Sequence, residues 1–132
     1  MNGERGFSLL EVLVATTIMT VALVSLAQVL ALATALNASA NRTTFAAVLA
    51  AQKVETLRGL NWDALQRQVG RSIDYLDRTG TAASDPEAAA FTCEAIIEPR
   101  IEDAANLVSV QVIVRSAREA VELRTSLTRR VP

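Results

Sequence analysis

The spacing of hydrophobic positions changes twice along this chain. From Val12 to Leu36 there is no charged residue, no Gly and no Pro, and Ala, Leu and Val dominate. At ~1.5 Å per residue a helix over this run would reach about 37 Å, enough to cross a bilayer core of ~30 Å. From Asn37 the pattern becomes intermittent. Ala47, Ala50, Val54 and Leu57 recur at helical spacing, with Asn41, Gln52, Glu55 and Thr56 roughly opposite. No Pro interrupts residues 37–60, and Gly59 and Asn61 supply stop signals. One helix is therefore predicted to leave the apolar run and continue, amphipathic, to about residue 60. Phe45 and Leu49 lie off the stripe. They either face a neighbouring subunit or border the same core.

Beyond Leu60 the period shortens to two. Trp62 and Leu65 are expected core contacts beneath the helix end. Ile73 and Tyr75 alternate as a short edge strand, and Thr79 to Pro86 reads as a loop. Three alternating runs follow: Phe91, Cys93, Ala95 and Ile97; Val108, Val110, Val112 and Val114; Val121, Leu123, Thr125 and Leu127. One apolar and one polar face per run argues for half-buried antiparallel strands. Pro99 and residues 102–106 separate the first two, and Arg118-Glu119 marks a hairpin turn. The predicted fold class is α+β: a long N-terminal helix packed by its C-terminal half on a small antiparallel sheet of three to four strands.

Composition narrows the chemistry. The net charge of −1 gives no global attraction to nucleic acid, and one Trp, one Tyr and three Phe weigh against a base-stacking surface. With one cysteine and no histidine there is no intramolecular disulfide, no Ser-His-Asp or Cys-His catalytic group, and no usual zinc ligand set. Cys93 falls on an inward-facing strand position and reads as a buried, inert thiol. Asp74, Asp77, Asp85 and Glu87 offer oxygen ligands but lack the spacing of a calcium loop, so they read as a solvated acidic surface. No metal and no other cofactor is expected. Arg129 and Arg130 could touch phosphates or headgroups, but two arginines are weak evidence for it.

The chemistry that stands out is Glu11. It follows Phe7, Leu9 and Leu10 and precedes the uncharged run. An ionisable group at such a place calls for a partner, and no Lys or Arg between Val12 and Leu36 can supply one. A plain membrane anchor leaves Glu11 unexplained. A conventional secretory signal could use Ala38-Ser39-Ala40 as its cleavage site, but its apolar region would be too long.

Gly6-Phe7-Ser8-Leu9-Leu10-Glu11-Val12-Leu13-Val14-Ala15, after a short leader ending in Arg5-Gly6, resembles the cleavage and methylation motif of type IV prepilins and type II secretion pseudopilins. The resemblance implies that prepilin peptidase cuts between Gly6 and Phe7 and methylates the new amine of Phe7. It also implies that Glu11 pairs with the N-terminal amine of a neighbouring subunit. An α-amino group has an ordinary pKa of about 7.7–8.0, so cleavage creates the cation that Glu11 lacks. The implied organisation is a leader over 1–6, a transmembrane and filament-core helix over 7–36, and a periplasmic pilin-like domain over 37–132 that includes the rest of the helix. Residues 49–58 more loosely resemble minor pilins of the pilus-modification type and small minor pseudopilins. Major pilins usually carry a disulfide loop and often a helix-kinking proline. This chain has one Cys and no Pro before Pro86. The expectation is a non-enzymatic minor pilin or pseudopilin that primes, tips or modifies a filament. Its partners would be the peptidase, other pilins or pseudopilins and inner-membrane lipid. It would sit as a single-pass protein in a bacterial inner membrane before entering the filament. The alternative is a filament-tip adhesin or DNA-binding minor pilin.

Overall fold

A computed structural model describes residues 8–129. The elements run α1 (Leu9–Gly59), α2 (Trp62–Arg67), β1 (Gly70–Leu76), a short 3-10 turn (Pro86–Ala88), β2 (Phe91–Pro99), β3 (Leu107–Arg115) and β4 (Ala120–Thr128). The chain forms two compact units, Met1–Ser39 and Ala40–Pro132. In the second, a four-stranded antiparallel sheet in the order β1-β2-β3-β4 packs against the C-terminal part of α1. This is the α+β pilin-like layout that the sequence predicts.

Register explains the core. Cys93, Ala95 and Ile97 stand opposite Val114, Val112 and Val110, and Val121, Leu123 and Leu127 continue the same face onto β4. The four inward valines of β3, Val108, Val110, Val112 and Val114, are at most 1% exposed. At roughly 1.5–3 kcal/mol for each fully buried aliphatic side chain, this face dominates the stability of the unit. The helix closes it with Ala46, Leu49, Ala50, Val54 and Leu57. The predicted stripe was therefore one residue out at its start: Ala46 is buried and Ala47 only partly so. Every residue from Phe45 to Ala51 is apolar, so no polar position there fixes the helical phase. Of the two readings of Phe45 and Leu49, the core one holds. Leu49 is buried, and the Phe45 ring lies 5.4 Å from that of Phe91.

α1 stops at Gly59, and Asn61 caps α2 by accepting the Ala64 N–H at 2.8 Å. That short helix buries Leu65 and packs Trp62 on the core, as expected of both. β1 is an edge strand whose Ile73 and Tyr75 face outward. Its inward Asp74 instead meets Lys53 of α1, with Nζ–Oδ2 at 2.6 Å. Cys93, paired with Asp74, is buried. Burial pushes its thiol up from the ordinary range, with Lys53 opposing and Asp74 adding. A thiol so held is a poor nucleophile at neutral pH.

The loop after β1 is built around Asp77. Its carboxylate accepts the backbone N–H and the hydroxyl of both Thr79 and Thr81, at 2.7–3.0 Å. These hydrogen bonds, the Thr79 hydroxyl first, hold its pKa far below the usual carboxylate range. Gly80 takes φ +85° and lies against Leu49.

On the outer sheet face one acid is covered. Glu94 is 4% exposed because Arg71 of β1 and Arg115 of β3 close over it, each on a separate carboxylate oxygen. Its pKa is lowered, mainly by the Arg71 hydrogen bond; desolvation opposes this and Arg115 assists. Depressed folded-state values mean that the unfolded chain binds more protons. The stabilisation from Glu94 and Asp77 is therefore complete above the ordinary carboxylate pKa of about 4 and is lost as pH falls through the folded values. Thermal melts should be flat from neutrality to about pH 5 and fall steeply below pH 4. Glu94→Gln should lower the neutral melting temperature and flatten the acid limb. An unchanged limb would remove Glu94 from this account.

Candidate functional site

The described start of the chain is a capped helix. Ser8 accepts the Glu11 N–H through both its hydroxyl, at 3.2 Å, and its carbonyl, at 2.9 Å. Ser8-Leu9-Leu10-Glu11 thus has the spacing of a capping box, and Glu11 sits in the first turn, where the helix dipole favours an anion. Sequence reasoning missed this local role, although the Ser-x-x-Glu spacing was visible. Glu11 has no cation of its own chain beside it among the described residues.

From Val12 to Leu36 the helix carries no charge, and its large apolar side chains are exposed, Leu13 at 59% and Leu36 at 61%. Among the described residues it is the one helix long and apolar enough to cross a membrane. Its hydroxyl groups are satisfied internally. Thr16, Thr17, Thr20, Ser25 and Thr34 each donate to a carbonyl one turn back, at 2.7–3.0 Å. Polar groups paired in this way can enter hydrocarbon without seeking water.

Gly6 and Phe7, the expected cleavage pair, lie outside the described residues, as does Arg130. The four acids considered for calcium are not brought together: Asp74 pairs with Lys53, Asp77 orders its own loop, and Asp85 caps the 3-10 turn. No group of acidic or thiol side chains able to hold a metal occurs among the described residues. Arg129 is exposed, and its backbone N–H donates to the Asn106 carbonyl.

A capped apolar helix with one acid in its first turn, and a helix-on-sheet α+β unit, give the chain a pilin-like layout. Residues 1–27 match the prokaryotic N-terminal methylation motif, the signal of type IV pilins and pseudopilins. The motif marks a structural class, processed by prepilin peptidase, membrane-anchored and then assembled with other pilins. Neither the curated proteins nor the solved structures compared with the chain give a match.

Proposed function

We propose that this chain is a minor pilin or pseudopilin subunit, cut between Gly6 and Phe7, methylated on the Phe7 amine, and seated in a type IV pilus or type II secretion pseudopilus by Glu11. The observation that carries this is Glu11 itself, the single ionisable side chain between Leu9 and Leu36. Cleavage removes Glu4 and Arg5 and leaves an amine four residues from Glu11 in sequence. In an apolar filament core an unpaired carboxylate is costly, so the amine of an adjacent subunit offsets that cost and selects the axial register. Residues 7–36 then form the membrane and filament-core segment. Residues 37–132 form the periplasmic domain.

The minor role draws on two features. The one cysteine is buried in β2, so no disulfide loop closes within the chain. Helix α1 contains no proline. The subunit acts by assembly and supplies no catalytic group. Intact-mass analysis of membrane-extracted protein tests the processing. The expected species begins at Phe7 and carries one added methyl group. A start at Met1, Ala40 or Asn41 would sink the proposal.

A further inference from the structure

We infer that the second unit carries a binding site for an anionic phospholipid headgroup. The site is a concavity of about 560 Å³ ringed by Arg42 of α1, Arg78 of the loop after β1, and Arg118 of the β3–β4 turn. That volume lies within the range of small-ligand sites, ≈ 300–1,000 Å³. Two features decide its ligand.

The first is charge. No carboxylate lines the concavity, and none of the three arginines forms an ion pair among the described residues. The remaining described arginines on strands, Arg71, Arg115 and Arg124, are all spent on Glu94 or Glu122. Glu119, next to Arg118, accepts a hydrogen bond from Thr43 and is not part of the lining. Three arginines from three separate elements, lining one concavity that no carboxylate lines, make a site for a phosphate-type group, which arginine recognises in bidentate fashion.

The second is the floor, where Phe45 and Phe91 meet at 5.4 Å. An apolar floor under a cationic rim suits a phosphodiester that carries an apolar stem better than it suits a free anion. This site goes beyond the assembly role and depends on neither the cut at Phe7 nor the pairing of Glu11.

The test uses the full chain in neutral detergent, with phosphatidylglycerol and phosphatidylcholine offered together and retained lipid counted by native mass spectrometry. The wild type should retain the anionic lipid about tenfold or more in preference. Arg42→Gln, Arg78→Gln and Arg118→Gln combined should abolish the preference. Arg78→Gln alone should weaken it, which covers the case of a misfolded triple variant. Arg67→Gln, an equal charge change on α2, should leave it intact. Equal retention of the two lipids by the wild type would overturn the inference. So would equal losses from Arg78→Gln and Arg67→Gln. Displacement of the lipid by equimolar inorganic phosphate, or by an oligonucleotide, would also overturn it, since the ligand would then be a free anion or a nucleic acid.

Discussion

Replacing Glu11 with Val should leave the chain in the membrane fraction and remove it from filaments. Insertion should not suffer, because an acid at the centre of a membrane helix costs about 2.5–3.5 kcal/mol and Val costs nothing comparable. Incorporation should suffer if the proposed pairing holds, because the neighbouring amine then loses its partner in an apolar core. Breaking a buried charge pair costs about 3–5 kcal/mol, so the substituted subunit should be depleted by about a hundredfold or more against wild type in the same filament. Glu11 also holds the acidic position of a capping box with Ser8, where Val keeps the backbone N–H to Ser8 but loses the carboxylate that the first turn favours. Glu11→Gln separates the two roles, since Gln serves in a capping box but carries no charge. Immunoblots of sheared filaments against membranes should show both variants excluded. Normal incorporation of Glu11→Gln would assign Glu11 to helix capping and refute the pairing.

Gly80→Val should be the most damaging substitution in the second unit that touches no core position. At φ +85° a β-carbon is strained by roughly 1–2 kcal/mol. The β-carbon would also stand 2.8 Å from Leu49 Cδ2, and overpacking of this sort adds about 1–3 kcal/mol. Against a domain stability of about 5–15 kcal/mol, the melting temperature should fall by about 10 °C or more. Leu49→Ala in the same chain relieves the collision but not the backbone strain, so the double variant should be more stable than the sum of the single losses predicts. Strict additivity would show that the loop does not press on Leu49.

The strands β2, β3 and β4 were legible because each alternates between apolar and polar residues, with Ile96, Ile113 and Thr125 as exceptions. Such a pattern is set locally, residue by residue. The helix was legible as a helix, and its buried face from Ala50 to Leu57, but not the start of that face, since residues 45–51 offer no polar marker. The Glu94 cluster was illegible for a different reason. Its partners Arg71 and Arg115 lie on two other strands, and only the register of both ladders brings them to one carboxylate. The ring of Arg42, Arg78 and Arg118 was hidden in the same way. Asp77 read as one of several surface acids, because its function depends on a loop geometry that places Thr79 and Thr81 around it. Glu11 was singled out from sequence alone. What the structure added is its place in the first turn of α1, where the helix dipole is a second reason for an acid at that position.

The order of the strands bears on how the chain acquires its structure. In β1-β2-β3-β4 every strand lies beside its predecessor, and the helix that covers them comes earlier still. Each ladder closes a short stretch of chain, which lowers the entropy cost of pairing and favours fast folding. As synthesis or export delivers the chain from its N-terminus, each new strand meets a partner that has already emerged. The last to arrive, β4, is also the one left half-exposed at the sheet edge. A nascent subunit held in the membrane by its first helix could thus fold vectorially, with no strand waiting unpaired for a distant one.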